Sequence, residues 1–159
     1  MTGRIDTVIF DMDGVIFDSE ILVLQCWREV AERHGIENVD AACHECLGTN
    51  SVVSKGIFLK HYGEDFPYDE YNQEMAEVFF SRAAGGKLAK KPGVEELLGY
   101  LREHEFKVGL ASSTREALVR KELSEGGLIE YFDQIIGGDK VKRSKPEPDI
   151  FLESAGIRA

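Results

Sequence analysis

Charge placed where a buried strand must end constrains this 159-residue sequence more than any other feature. Thr7–Phe10 is a short run of β-branched and aromatic residues, the composition of a buried strand. It runs directly into Asp11-Met12-Asp13-Gly14. Two carboxylates at the mouth of such a strand are costly unless solvent, a cation or a ligand meets them. The strand is therefore expected to end at an open edge that carries a site.

Farther along, strands and helices alternate. Pro92-Gly93 opens a helix with Val94, Leu97, Leu98 and Leu101 on one face. Residues 106–111 read as a second buried strand, ending at Ser112-Ser113-Thr114 and leading into a helix from Arg115. Residues 131–136 read as a third strand, ending at Gly137-Gly138-Asp139, and residues 148–155 as a last helix. Such alternation predicts an α/β fold, a Rossmann-like parallel sheet with crossover helices. Ligands in such sheets sit beyond the carboxyl ends of the strands, and every polar cluster just named falls there.

The stretch before Pro92 breaks that alternation. From Ser19, Ile21, Leu24, Trp27, Val30 and Ala31 recur at helical spacing, and Gly35 supplies a stop. Helical patterns continue to about Ala83, with breaks near Gly48-Thr49-Asn50, Gly63 and Pro67, and Ala83-Ala84-Gly85-Gly86-Lys87 reads as a hinge. This predicts an α/β core from residues 1–17 and 88–159, with a small helical domain over 18–87 threaded into it.

Composition excludes several classes. The net charge of −10 argues against nucleic acid, whose binding needs cations to replace phosphate counterions. It also denies an anionic substrate any long-range steering, so a positive field has to be local. No run approaches the roughly 18 apolar residues of a membrane span. The amino terminus carries only Arg4 ahead of an apolar run that acidic residues follow at once, unlike an export leader. The three cysteines, Cys26, Cys43 and Cys46, are read as reduced thiols of a cytoplasmic protein with no membrane partner. Cys43-His44-Glu45-Cys46 has half the spacing of a zinc site, but no second pair matches it, so these are read as helix residues.

Asp11 and Asp13, two apart, can converge on one point past the strand end. Such a pair favours a hard divalent cation and divides labour well: one carboxylate attacks phosphorus while the other protonates the leaving oxygen. Gly14 permits the turn and offers an amide to an anion. Ser112 offers a hydroxyl to a phosphoryl oxygen, with Ser113 and Thr114 near a helix amino terminus behind it. Lys145, stiffened by Pro146 and Pro148, can neutralise a transferring phosphoryl group. Singly, each has a plainer reading: an acidic turn, a helix cap, an exposed loop lysine.

Taken in order, the segments VIFDMDGVIFDS (residues 8–19), VGLASST (108–114) and GDKVKRSKPEPDIF (138–151) resemble the haloacid-dehalogenase-like superfamily. The resemblance is closest to the branch of β-phosphoglucomutase and the sugar-phosphate and phosphoglycolate phosphatases. It implies Asp11 as nucleophile, Asp13 as general acid and base, Ser112 holding phosphoryl oxygens and Lys145 stabilising charge. It implies Mg²⁺ held by the Asp11 carboxylate and the Asp13 main-chain carbonyl, and a small phosphorylated metabolite as substrate. The helical insert becomes a cap, with specificity from the turn holding Thr49, Asn50 and Ser51. Trp27 belongs either to the cap interface or to plain core packing. Lys55 and Lys60 are read as a solvated helix face.

Two departures stand out. The superfamily's fourth motif, an acidic pair beyond a further helix and strand, would fall past Ala159, so a truncated gene product with an incomplete core is expected. A β-phosphoglucomutase of this kind carries a histidine and an arginine where this sequence has Val23 and Ser51. Hydrolysis is accordingly preferred to mutase chemistry, with an inactive or partner-dependent binding fragment as the reading from another class.

Overall fold

In the computed structural model, residues 5–143 and 145–156 are described. The chain divides into two compact units, Met1–Asp18 with Gly85–Ala159, and Ser19–Ala84.

The first unit is built on a parallel sheet of β1 (Thr7–Phe10), β2 (Lys107–Ala111) and β3 (Gln134–Ile136), with β2 in the centre. Val8 pairs with Val108, and Leu110 with Ile135. Helices α5 (Val94–Glu103) and α6 (Glu116–Glu125) supply the crossovers, and α7 (Asp149–Ser154) follows β3. The α7 side of β2 is set by Gly109. A Cβ there would stand 2.8 Å from Ser154 Oγ, so the helix lies against bare strand backbone. Ala111, Ile136 and Ile150 form a buried cluster, with Ile9 and Val141 packed against it. Val108 and Leu110 are fully buried and, by strand alternation, point the other way.

Two expectations need correction. Leu97 is 46% exposed, because the buried stripe of α5 is Val94, Leu98 and Leu101. The third strand begins at Gln134, not residue 131, and Ile129–Tyr131 forms a 3-10 turn. Asp133 explains the late start. Its carboxylate accepts the Val108 amide at 2.8 Å, taking the place of a ladder carbonyl, while Arg102 holds its other oxygen at 3.2 Å.

After β1 the chain folds tightly on itself. The Met12 carbonyl accepts the amides of Val15, Ile16 and Phe17 at 3.2, 2.8 and 3.2 Å. The chain that leaves this loop meets the chain that returns: Asp18 N–H donates to Ala89 and Lys91 N–H to Ile16, with Asp18 and Lys91 paired at 2.5 Å.

The second unit comprises α1 (Ser19–His34), α2 (Val39–Glu45), α3 (Ser51–Tyr62) and α4 (Tyr68–Ala83). Trp27 lies in its core, with its ring 4.5 Å from Phe58 and 6.0 Å from Tyr68. Aromatic pairs of this kind add about 0.5–1.5 kcal/mol beyond area burial. The Asn50 side chain caps α3 by accepting the Val52 and Val53 amides, an arrangement worth about 1 kcal/mol. Cys26 and Cys43 are buried thiols, and burial pushes Cys43 up to about 12. Lys55 pairs with Asp69 at the surface.

The Gly109 contact yields a stability prediction. Gly109→Ala should lower stability by about 1–3 kcal/mol, the usual cost of overpacking. Ser154→Ala, which removes the opposing Oγ, should recover most of that loss in the double variant. Chemical denaturation of the four proteins in a double-mutant cycle checks this, and additive losses would mean the two atoms do not meet.

Candidate active site

The first unit brings together five of the residues singled out above, Asp11, Asp13, Ser112, Thr114 and Lys145. Met12 is the organising side chain. It is 1% exposed, while Asp11 and Asp13 on either side of it are only half-buried. The Asp11 carboxylate is held at both oxygens. Oδ1 accepts the Met12 amide at 2.7 Å, and Oδ2 lies 2.9 Å from Lys145 Nζ. Lys145 also donates to the Ala111 carbonyl at 2.9 Å, and its ammonium sits 5.0 Å from the centre of the Phe151 ring. One cation therefore joins the end of β1, the end of β2 and the loop before α7.

Asp13 is oriented from β2's end, where Thr114 Oγ1 donates to Asp13 Oδ2 at 3.1 Å. Ser112 is fully buried. Its amide donates to Ile136, and its Oγ accepts the Thr114 amide at 3.1 Å, which leaves the hydroxyl proton to donate elsewhere. Ser113 is exposed beside it.

Several placements were not legible in the sequence. The sequence points the Gly14 amide at an anion. With φ of +71° the loop folds back, and that amide donates to the Phe17 carbonyl at 2.9 Å instead. Thr49, Asn50 and Ser51 serve local structure in the second unit. Thr49 Oγ1 binds the Cys46 carbonyl and Ser54 Oγ, Asn50 caps α3, and Ser51 begins it. Asp139 caps α6 from another loop, accepting the Glu116 amide at 2.8 Å, and that bond holds its carboxyl below the usual range. Glycines at 137 and 138 permit this approach, since a Cβ on either would collide with the backbone of Glu116 or Ser113.

Glu122 on α6 was missed altogether. Burial pushes its carboxyl up to about 7, and the Asp13 charge acts in the same direction. A signal was present: Glu122 falls on the stripe that buries Val119 and Leu123.

The donors near the strand ends are carboxylate and carbonyl oxygens, with no thiolate or imidazole, which is the chemistry Mg²⁺ takes. Among the described residues no group of three or more His, Cys, Asp or Glu is placed to hold a metal.

The profile of the haloacid dehalogenase-like hydrolase family matches residues 8–155. The chain belongs to that family. This haloacid dehalogenase-like hydrolase is 34% identical over 154 residues to a phosphorylated carbohydrates phosphatase of Thermotoga maritima, covering 92% of this chain and 68% of that one. It is 33% identical over 159 residues to the β-phosphoglucomutase of Bacillus subtilis, covering 94% and 68%. The crystal structure of a β-phosphoglucomutase from Clostridium difficile superposes with a TM-score of 0.72 at 28% identity, covering 96% of this chain and 70% of that chain. These matches place the hydrolase in the β-phosphoglucomutase-like branch, with a Rossmann-like parallel sheet, as a phosphoric monoester hydrolase.

Glu122 sets a pH dependence. Its folded value, about 7, lies above the ordinary 4.5, so folding retains a proton there. The stability this confers is fully present below about pH 4.5 and is lost as pH rises through about 7. Glu122→Gln should flatten the decline in Tm between pH 5 and 8 and melt above the parent at pH 8. Parallel profiles for the two proteins would show that the carboxyl is solvated in the fold.

Proposed function

We propose that this chain hydrolyses the phosphate monoester of a small metabolite through a phosphoaspartate on Asp11, with Mg²⁺ as cofactor. The observation that carries this reading is the Lys145 ammonium, 2.9 Å from both Asp11 Oδ2 and the Ala111 carbonyl. A cation so placed beside the attacking carboxylate offsets the charge that a phosphoryl group brings to it.

In the first half-reaction an Asp11 oxygen attacks phosphorus. The bond to the leaving oxygen breaks, its electron pair stays on that oxygen, and the Asp13 carboxyl supplies the proton. In the second, the Asp13 carboxylate takes a proton from water as the water oxygen attacks phosphorus. The bond to Asp11 breaks, inorganic phosphate departs, and both side chains return to their starting states. Thr114 keeps Asp13 turned toward the leaving oxygen, and Ser112 donates to a phosphoryl oxygen. Mg²⁺, held by the Asp11 carboxylate and the Asp13 main-chain carbonyl, would supply further charge compensation for the phosphoryl oxygens.

The helical unit, with Thr49, Asn50 and Ser51 at its turn, is read as the cap that selects the rest of the substrate. A phosphorylated sugar is the class suggested by the name of the Thermotoga relative. Hydrolysis is preferred to mutase chemistry because Val23 packs against the helical core, where the mutase pattern has a histidine, and Ser51 replaces an arginine. A cytoplasmic setting is supported by three free cysteines, and the net charge of −10 speaks against a nucleic-acid partner.

Phosphate release from p-nitrophenyl phosphate, with and without Mg²⁺, tests the reading. Asp11→Asn should abolish magnesium-dependent turnover with Tm nearly unchanged, and retained turnover would remove Asp11 as nucleophile. Asp13→Asn should lose far more activity on alkyl phosphates than on p-nitrophenyl phosphate, whose leaving group needs no proton. Equal losses on both would assign Asp13 another task.

A further inference from the structure

A lysine is a poor fixed charge. Its four-carbon stem is flexible and its ammonium prefers water. Lys145 nevertheless has three defined neighbours: the Asp11 carboxylate, the Ala111 carbonyl and the Phe151 ring. The first of these is transient in the proposed cycle, since Asp11 spends its anionic charge when it bonds to phosphorus. Whatever keeps the ammonium in place through that step has to lie elsewhere.

Phe151 fits that need. The buried side chains of α7 are Ile150 and Ser154, one turn apart, and Phe151 lies off that stripe, 40% exposed. Core packing therefore does not account for an aromatic residue there. Its ring face, 5.0 Å from Nζ, is placed for a cation–π contact. A quadrupole attracts the ammonium without neutralising it, so the charge stays available to a phosphoryl oxygen.

The loop carrying Lys145 is closed by a second device. Arg143 Nε donates to Asp149 Oδ2 at 3.0 Å and Nη2 to Oδ1 at 2.6 Å, a fork-on-carboxylate pair. Arg143 also reaches Glu147 at 3.3 Å. This pair holds the Asp149 carboxyl below its usual range and spans the six-residue step that contains Lys145. Asp149 is the first residue of α7, so the pair ties the lysine's loop to the helix that presents Phe151.

We propose that Phe151 and the Arg143–Asp149 pair are positioning residues for Lys145, the ring steadying its ammonium and the ion pair fixing its loop. The inference rests on the reading of Lys145 as the group that stabilises the transferring phosphoryl.

The test uses the full chain and needs no turnover. Trace acetylation of Lys145 is measured by peptide mass spectrometry against Lys121, an exposed lysine on α6. Phe151→Leu should raise the Lys145-to-Lys121 labelling ratio about two- to fivefold, the scale of a partly exposed cation–π contact, and Asp149→Asn should raise it in the same direction. Phe151→Tyr, which keeps the ring, should hold the parent ratio, a rescue that bulk packing alone would not demand of an exposed site. An unchanged ratio in Phe151→Leu, or a rise in Phe151→Tyr equal to that in Phe151→Leu, overturns the assignment of the ring. An unchanged ratio in Asp149→Asn overturns that of the pair. Loss of magnesium-dependent turnover in Asp11→Asn is scored separately, so a failure of the phosphatase reading leaves the labelling result intact and distinguishable.

Discussion

Asp11 and Asp13 are like charges set side by side at the end of a buried strand, and the surrounding structure answers their repulsion. Met12 between them is buried, while both aspartates stay half-buried. Lys145 and the Met12 amide hold one carboxylate, and Thr114 orients the other. Each answering group comes from a different part of the chain. The sheet register is what delivers them, because parallel strands bring their carboxyl ends to one edge. The knitted ends of β2 and β3, with Ser112 bonded to Ile136 and Gly138 to Thr114, make that edge continuous.

The charge distribution sharpens the role of the lysine. Ser19–Ala84 carries twelve acidic and five basic side chains, so most of the net charge of −10 lies in the helical unit. A phosphate ester approaching this protein meets a repulsive far field, which falls away within about 10 Å at moderate salt. Attraction must then come from short-range groups, which is why the geometry around one ammonium matters more here than the count of cations.

Much of the architecture was legible because periodicity reports burial. The strand at Thr7–Phe10, the helix from Ser19 and its stop at Gly35 all follow from spacing that core packing enforces. Asp11, Ser112 and Lys145 could be picked out because charge or hydroxyl falls at a strand end or just ahead of two prolines, where a plain loop has no need of it. Pairing information was not legible. Asp139 is one of many acidic residues in the sequence, and only the approach of its loop to Glu116 makes it a helix cap. Asp133 shortens β3 through a side-chain bond to Val108, a competition that strand propensity cannot see. Leu97 has the right hydrophobicity on the wrong side of a narrow stripe. Phe151 looked like part of a helical run, and its neighbour Lys145 is set by a loop whose course no local pattern encodes.

The first unit is sewn from two separated stretches of chain, and this has a consequence for the order of events during synthesis. Every core residue of the helical unit lies between Ser19 and Ala84, so that unit can complete its packing as soon as its own stretch has emerged. The strand that leads into Asp11 has no such option. Thr7–Phe10 finds its first ladder partner only at Lys107–Ala111. At translation speeds of about 5–20 residues per second, that strand waits on the order of five to twenty seconds as a bare apolar segment. Early folding of the insert reduces the stretch of loose chain that must close when β2 arrives, and closure entropy grows with that length. Early folding of the insertion thus limits the cost of dividing the first unit in sequence, and the charged tetrapeptide after Phe10 keeps the waiting strand flanked by residues that resist aggregation.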